Sequence, residues 1–395
     1  MANWLSASFP EIWAGKQQTE FFKQNVAMEI CKFEQGLEGK KYGDTLNRTY
    51  SSMSTVPDVY VRGTAITIQD ITDTAEQLTI NSQYAQGFYV DEMDDLQNIY
   101  SAALEYGRKT GEYLSNQVDA EVLGEALNAA STVTVGTLAT TNIVSALTGA
   151  NKALAKLNVM SKDKYAVISP EFEEILVQYV ENKATVKGDQ VGLNGYIMTW
   201  MGYDFYVSNQ LTSTVELVLD ADVTANDTIT IAGQVFTFVA SIWTTAGNVL
   251  AGANAAATRV NLAALINAPG TSTSTGIALT GDALKLFKAR ITAVNNIAAT
   301  KVVVKAKGVG VLDVAESITA ASDVFTAAQQ LQHNLFGVKG NPYLIIQRMP
   351  KVSERLVQDK MGSNYLNTVL FGYKTFKDNS YAMVDVTIRC DAYNA

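Results

Sequence analysis

Few residues in this chain have the chemistry of an active site or a metal site. The 395 residues include one histidine, His333, and two cysteines, Cys31 and Cys390. Zinc clusters, iron–sulfur centres and histidine-rich metal sites need several such ligands, so this inventory excludes them. His333 has no neighbouring nucleophile in the sequence. We expect it to be a hinge or surface residue, with a pH-sensing role as the alternative.

The acidic clusters have simple structural explanations. Glu171 and Glu173 follow Ser169-Pro170, and acidic residues in the first turn of a helix stabilise the helix dipole. Asp220 and the acidic residues after it lack the glycine and the terminal glutamate of a calcium loop. No phosphate-binding loop or serine-nucleophile motif occurs. The sequence therefore predicts a protein that is not an enzyme, with no catalytic residue, no metal and no cofactor.

The composition is that of a folded, acidic protein. Apolar residues make up 47%, and 30 basic against 39 acidic residues give a net charge of -9. A uniformly acidic chain repels phosphate backbones, so we expect no sequence-specific nucleic-acid binding. No apolar run approaches the roughly 20 residues of a membrane span, so we expect no membrane association.

The charge is distributed unevenly along the sequence. Residues 49–128 carry a net charge of -10, whereas residues 334–395 carry +3. Ordinary solvated faces explain this pattern most simply. The alternative hypothesis is that the acidic segment of one copy meets the basic segment of another. Under that hypothesis the candidate intersubunit contacts are Asp70, Asp73, Glu76, Lys351, Arg355, Lys360, Lys374 and Lys377.

The first third of the chain predicts a helix, a long hairpin and a very long helix. Apolar spacing favours a helix over residues 10–31. Pairs of apolar residues two apart, between Val59 and Val90, predict strands, with the polar stretch Asp70–Gln77 as a turn. Residues 91–128 repeat apolar side chains at steps of three and four, which predicts one helix of about ten turns.

The remaining segments alternate between helix and strand patterns. We predict helices over residues 142–157, 170–182 and 351–361, strands over 165–168, 343–348 and 381–390, and a hairpin over 196–208 that turns near Gly202.

Residues 213–333 have a composition of their own. They are rich in Ala, Thr, Val and Gly and contain none of the 18 tyrosines. Such a segment is typical of an inserted domain. We predict a small α+β unit with a hairpin over 228–239, helices over 256–267 and 282–289, and strands over 291–294 and 301–306.

The order of these elements resembles a known family. The stretches that carry the resemblance are FPEIWAGKQQTEF (9–21), Gly43-Asp44-Thr45, GFYVDEMDDLQ (87–97), YAVISPEFEEIL (165–176), GYIMTWMGYDFYVSNQL (195–211) and YLNTVLFGYKTFKDNSYAMVDVTI (365–388). Together they resemble the major capsid protein of tailed bacteriophages, which has the Hong Kong 97 type fold.

The resemblance implies an α+β fold and a division of the chain into five parts. They are an N-terminal arm (1–44), an extended loop with peripheral strands (45–90), a spine helix (91–128), an axial α/β domain (129–212 with 334–395) and the insertion domain (213–333).

It also implies a function without a catalytic residue. The chain is expected to assemble into pentamers and hexamers of an icosahedral head that encloses double-stranded DNA. Expected partners are a scaffolding protein, a portal and a decoration protein. The expected location is the virion capsid, after assembly in the host bacterial cytoplasm. An encapsulin-like compartment for protein cargo, or a phage tail or adhesion protein, are the alternatives.

Overall fold

The computed structural model describes most of the chain. It covers residues 25–33, 45–52, 59, 61–65, 68, 72–91, 102–159, 162–183, 199–242, 244–297, 300–308, 312–319, 330–356 and 361–389.

Helices and strands are mixed throughout the described ranges. The helices are α1 (Ala27–Ile30), α2 (Ala102–Leu123), α3 (Ile143–Lys156), α4 (Pro170–Glu181), α5 (Ala255–Asn267), α6 (Gly281–Arg290) and α7 (Lys377–Ser380). A 3-10 turn over Gly124–Asn128 continues α2. The strands are β1 (Lys32–Phe33), β2 (Thr45–Ser52), β3 (Thr72–Thr79), β4 (Ser82–Asp91), β5 (Ser131–Gly136), β6 (Lys164–Ile168), β7 (Thr199–Trp200), β8 (Tyr203–Val207), β9 (Thr212–Val218), β10 (Thr228–Ile231), β11 (Gln234–Val239), β12 (Asn248–Leu250), β13 (Ile291–Ile297), β14 (Lys301–Lys307), β15 (Val314–Ser317), β16 (Leu331–Val338), β17 (Tyr343–Leu356), β18 (Gly362–Lys374) and β19 (Met383–Arg389).

A nine-stranded sheet forms the centre of the fold. Its order is β13-β14-β9-β16-β6-β8-β7, and β19 joins it by pairing with both β16 and β5. Helices α3 and α4 pack on one face through an apolar core that includes Phe172, Tyr203 and Phe336. The other face is covered near β16 by α1, the end of α2 and the 3-10 turn, through Ile30, Leu123 and Ala126.

A second sheet lies against the spine helix. Its strand order is β1-β17-β18-β4, and α2 crosses it. Leu114, Val118 and Val122 lie one helical turn apart on α2 and pack against Val369 and Phe371 of β18. These are positions of the apolar face that the sequence predicts.

Strands β2 and β3 form a two-stranded hairpin outside the larger sheets. They pair antiparallel from Thr45 opposite Thr79 to Ser52 opposite Thr72. The predicted turn at 70–77 is therefore wrong, because its polar residues form strand β3. The hairpin turns instead around Val61–Thr64, where the Thr64 N–H donates to the Val61 carbonyl at 3.0 Å.

Two further element predictions need correction, and a third is described only in part. The spine helix does not start at Asp91, because Asp91 ends β4 and pairs with Gly362. Residues 351–356 are not helical, because they continue β17 opposite β18. The N-terminal helix is described only as α1, over Ala27–Ile30, and residues 10–24 of that prediction lie outside the described residues.

Most of the other element predictions are confirmed with small shifts at their ends, but Val59, Val61 and Ile68 do not lie in strands, and residue 66 lies outside the described residues. Helices α3 and α4 and strands β6 and β19 lie where the patterns place them, and the β7–β8 hairpin turns at Met201-Gly202. Gly202 has a φ of +83°, a conformation that favours glycine. Within the described residues, no helix is both long and apolar enough to cross a membrane.

The insertion has its own apolar core, but it shares a sheet with the axial domain. A core that includes Phe236, Phe238 and Phe287 is built from residues 215–312. Strands β10, β11, β12 and β15 form a separate four-stranded sheet. Strands β9, β14 and β13, in contrast, extend the central sheet, because β9 pairs with β16. The boundaries at 213 and 333 therefore fall within strands of that sheet.

Candidate assembly surfaces

The base of the β2–β3 hairpin is held against the C-terminal part of the same chain. Glu76 Oε2 accepts a hydrogen bond of 3.0 Å from the backbone N–H of Lys377. Lys374 Nζ donates to the Gln77 carbonyl at 2.9 Å. Two charged residues of the C-terminal part thus secure strand β3.

An arginine secures the other strand of the hairpin base. Arg48, opposite Glu76 on β2, donates from Nη1 to Asn379 Oδ1 at 3.0 Å. Its guanidinium lies 5.6 Å from the ring centre of Tyr343 and 5.4 Å from that of Phe376. Such cation–π contacts fix the planar group against the aromatic rings. The base of the hairpin is therefore a fixed support for the strands beyond it.

Three of the eight candidate intersubunit residues lie together within one subunit. They are Glu76, Lys374 and Lys377, at the hairpin base. Asp73 is exposed on β3, and Arg355 is exposed on β17. The other three are Lys351, which lies in β17, and Asp70 and Lys360, which lie outside the described residues. Contact of any of the eight with another subunit stays a prediction.

The hairpin tip exposes apolar side chains. Val59 is 90% exposed, Val61 58% and Ile68 91%. Single exposed apolar residues are common, but three of them close together in the sequence between β2 and β3 mark an interaction surface.

Asp119 on the spine helix holds the N-terminal segment. Its Oδ1 accepts hydrogen bonds from the backbone N–H groups of Val26 at 3.0 Å and Ala27 at 2.6 Å. The side chain is buried, and its Oδ2 has no hydrogen-bond partner within the described residues. Burial raises the pKa of Asp119 to about 6, although the two N–H groups partly oppose the shift.

Glu121 joins the spine helix to the sheet beside it. It accepts hydrogen bonds from the hydroxyls of Tyr84 on β4 at 2.9 Å and Tyr373 on β18 at 2.8 Å. Burial, and then the nearby Glu121 carboxylate, raise the pKa of both tyrosines. One turn later, Glu125 accepts from the backbone N–H of Thr375 at 2.9 Å.

These three carboxylates are not among the residues predicted from the sequence to be functional. A signal was present, since Asp119, Glu121 and Glu125 directly flank the apolar positions Val118, Val122 and Ala126 of the predicted helix face. Acidic groups at the border of a buried face often accept hydrogen bonds from neighbouring elements.

His333 is neither a hinge nor a surface residue. It is 5% exposed in the middle of the central sheet, on β16. Its Nδ1 lies 2.7 Å from Asp385 Oδ2 on β19, and its Nε2 lies 2.8 Å from Thr214 Oγ1 on β9. These contacts connect the two strands that begin and end the insertion to the closing strand β19.

Of the two cysteines, only Cys31 lies within the described residues. Burial, followed by the nearby carboxylates of Asp119 and Glu125, raises the pKa of the Cys31 thiol, which favours an unreactive form. Cys390 lies outside the described residues. Within the described part of the chain, no three His, Cys, Asp or Glu residues come together as metal ligands.

A cleft separates the insertion from the peripheral part of the subunit. Its volume is about 990 Å³, and it lies between helix α2, strand β4 and the insertion helices α5 and α6. Its wall includes Tyr113, Asn116, Phe287 and Lys288.

The sequence and the fold both match phage capsid proteins. The family model described as phage capsid protein matches residues 75–249, from strand β3 to strand β12. A structure from Mycobacterium phage Che8 aligns with 96% of this chain and 97% of its own, at 15% identity and a TM-score of 0.57. The capsid of cyanophage P-SCSP1u aligns with 97% of this chain and 94% of its own, at 12% identity and a TM-score of 0.55.

A third similar structure is the mature capsid of bacteriophage PhiM1, with 9% identity, a TM-score of 0.53 and coverage of 96% of this chain and 92% of that one. At these identities the structural matches establish the fold, and the family model adds the protein class. Together, the family match and the fold support a phage major capsid protein. No curated protein matches it in sequence.

The predicted Hong Kong 97 type fold of this capsid protein is confirmed. As a structural protein of a multi-subunit shell, it is a component of the virion capsid. The family model and the fold favour this role over a tail or adhesion protein.

Proposed function

We propose that this capsid protein forms pentamers and hexamers of an icosahedral shell that encloses a double-stranded DNA genome. The observation that carries the proposal is the projecting β2–β3 hairpin, with its fixed base and exposed apolar tip. Strand residues advance about 3.3 Å each, so the tip near Gly63 can extend about 50–60 Å from Thr45.

A shell needs contacts that repeat from subunit to subunit. A hairpin that docks on a different surface of its neighbour makes a head-to-tail contact, and such contacts close into rings when the rotation permits. A stable interface buries roughly 1,600 Å² in total. The hairpin tip adds to that area without using the surface of the axial domain.

We further propose the five-part division of the chain given by its sequence, with boundaries moved to the ends of strands. On this proposal the insertion spans about 219–330, because β9 and β16 are strands of the central sheet. We propose assembly in the host bacterial cytoplasm with a scaffolding protein and a portal, and with a decoration protein as a further partner. These partners are supported by the family resemblance.

The hairpin tip provides a sharp test of assembly. Deletion of 66–80 would remove Leu78 and Ile80, which are buried beneath Phe376, so the fold itself would suffer. Replacing residues 53–71 by Asn-Gly instead joins Ser52 to Thr72, which already lie opposite each other. We expect soluble, folded subunits that form no closed particles in negative-stain micrographs.

The wild-type chain, expressed in the same way, is the control and is expected to form closed polyhedral particles. Normal particles from the Asn-Gly variant would contradict the role of the hairpin. The contents of particles from a phage lysate test the remaining alternative. Double-stranded DNA is expected, whereas a single enclosed protein would indicate a protein-cargo compartment.

A further inference from the structure

We propose that Lys305 of the insertion fixes the end of the spine helix in its 3-10 form, and that this turn sets the angle between the helix and the central sheet. The inference concerns the shape of one subunit. It goes beyond the proposed assembly and does not depend on the hairpin contact, because every group involved lies in the same chain.

The last turn of the spine helix has a geometry that its own sequence does not favour. Helix α2 ends at Leu123, and residues 124–128 continue as a 3-10 turn. Glu125, Ala126 and Leu127 are good α-helix formers. A stretch of 3-10 helix has poorer hydrogen-bond geometry than an α-helix and often marks a hinge. The stability of this turn must therefore come from contacts with other elements.

Two lysines on strand β14 contact the spine helix from the insertion side. Lys305 Nζ donates to the Gly124 carbonyl at 3.3 Å, and Lys307 Nζ donates to Gln117 Oε1. Gln117 and Gly124 are about two helical turns apart on the same face. The insertion therefore contacts the helix at two points along its axis, and the second point is where the α-helix ends.

The Lys305 ammonium bonds a carbonyl whose partner differs between the two helix types. In a continued α-helix the Gly124 carbonyl would accept from the Asn128 N–H, four residues on. The turn instead has three-residue spacing, as the 3.1 Å bond from the Ala129 N–H to the Ala126 carbonyl shows. Carbonyls at a helix end carry the negative end of the dipole, so a cation bound there favours ending the α-helix at this point.

Gly124 leaves the space that the ammonium occupies. A Cβ at this position would lie 2.6 Å from Lys305 Nζ and 3.4 Å from Thr212 Oγ1, and the first distance is too short for any real contact. The backbone itself does not require a glycine, because Gly124 is not one of the glycines with a positive φ. The missing side chain therefore serves the contact with Lys305.

Two carboxylates near the Lys305 ammonium connect the turn to other elements. Burial lowers the pKa of Lys305, and the charges of Glu121 and Glu125 oppose this shift. Glu121, before the turn, is hydrogen-bonded to Tyr373 of β18. Glu125, within the turn, accepts from the Thr375 N–H at 2.9 Å. A change in the turn would thus move one of these connections relative to the other.

The two helix types would direct the chain differently into the central sheet. A 3-10 helix advances about 2.0 Å and 120° per residue, and an α-helix about 1.5 Å and 100°. Over residues 124–128 the two forms therefore differ by about 100° in rotation and about 2.5 Å in length. Strand β5 follows the turn and pairs with β19, so this difference would change the orientation of α2 relative to the sheet.

Distances between spin labels on the two sides of the turn test this role in the full chain. In a background with Cys31→Ala and Cys390→Ala, one label is placed at Tyr113→Cys, exposed on α2, and the other at Lys152→Cys, exposed on α3. Lys305→Met keeps an unbranched side chain but removes the ammonium. In unassembled subunits this variant is expected to change the mean label distance by about 3 Å or more.

Lys301→Met is the matched control. Lys301 lies on the same strand but is paired with Glu216 at 2.8 Å, so its loss should leave the label distance at the wild-type value. Gly124→Ala displaces the ammonium without removing its charge and should change the distance as Lys305→Met does. Gly124→Ala added to Lys305→Met should change it little further, because the contact is already lost.

The outcomes separate this role from general destabilisation and from shell assembly. An unchanged distance in folded Lys305→Met, an equal change in Lys301→Met, or additive changes from Gly124→Ala and Lys305→Met would overturn it. Circular dichroism establishes which variants fold. If Lys305→Met does not, an unchanged distance in Gly124→Ala overturns the role by itself. The labels report on single subunits, so failure here leaves the proposed shell standing, and failure to form particles leaves this result standing.

Discussion

At the scale of single residues, the buried carboxylates of the spine helix act inside the subunit. Glu121 and Glu125 accept hydrogen bonds from strand β18 or the segment after it, and Asp119 accepts from the N-terminal segment. Hydrogen bonds to charged groups contribute about 1.5–3 kcal/mol each. The carboxylates of Glu121 and Glu125 are therefore hydrogen-bonded inside the subunit instead of facing a neighbour.

Asp119 is expected to make stability depend on pH. Its pKa is about 6 in the folded chain and about 3.9 in an unfolded one, so the folded state binds more protons between these values. The contribution of Asp119 to the free energy of unfolding is therefore fully present below about pH 4 and is lost as the pH rises to about 6. A shift of this size corresponds to about 3 kcal/mol.

The measurement is urea denaturation of wild-type and Asp119→Asn subunits between pH 4 and 7. Asparagine keeps an acceptor for the two N–H groups and does not titrate, so the stability of wild type relative to the variant should fall by about 3 kcal/mol over this range. Asp119→Ala, which also removes the acceptor, should lose about 1–3 kcal/mol at low pH. If the difference in free energy of unfolding between wild type and Asp119→Asn does not change with pH, then Asp119 does not titrate in this range.

At the scale of elements, the sequence predicts a helix correctly where the helix has its own N-terminal capping residue. Ser169 caps α4, because its Oγ accepts from the Phe172 N–H at 3.2 Å and Pro170 occupies the first helical position. Thr280 precedes α6 in the same extended conformation but makes no side-chain capping bond. The two positions therefore form a natural pair for comparison.

We expect Ser169→Ala to lower the free energy of unfolding by about 1 kcal/mol, since the capping bond is lost. Thr280→Ala should change it by less than about 0.5 kcal/mol, because no such bond exists there. Chemical denaturation of both variants checks the difference. Equal losses at the two positions would mean that the capping bond is not the source of the effect.

At the scale of the whole molecule, the insertion combines a separate core with a shared sheet. Among the described residues, its apolar core is built from residues 215–318, so the unit has what an independently folding domain needs. The His333 contacts to Thr214 and Asp385 lie where its two connecting strands meet the axial domain. The insertion is thus held firmly to the axial domain, although the two have separate apolar cores.

An isolated fragment of residues 212–320 is expected to fold by itself. It keeps the whole core together with β9, β13 and β14, and loses the pairing of β9 with β16 and the hydrogen bonds that Thr214 and Leu312 make with His333 and Gln330. Thermal unfolding followed by circular dichroism should show one cooperative transition. A fragment of 219–320, which lacks β9 and with it the core residues Val215 and Leu217, is the control and should be much less stable. A broad, non-cooperative change in the longer fragment would contradict independent folding.

The sequence alone determined those elements that are specified by the spacing of apolar side chains and by capping residues. The face Leu114, Val118 and Val122 of the spine helix, the capped helix after Ser169 and the alternating strand β19 follow from spacing and capping chemistry, which act within a few residues. The order of these elements was enough for the resemblance to phage capsid proteins.

Only the tertiary structure decided those features whose hydrogen-bond partners come from distant parts of the chain. Residues 351–356 form a strand because β18 offers hydrogen bonds opposite them, and polar β3 is a strand because β2 does the same. Likewise, Glu76 meets Lys377, and His333 meets Asp385, across many intervening residues. Spacing in a sequence carries no information about which distant group will satisfy a buried charge or an open strand edge, because that depends on how the packed elements close on one another.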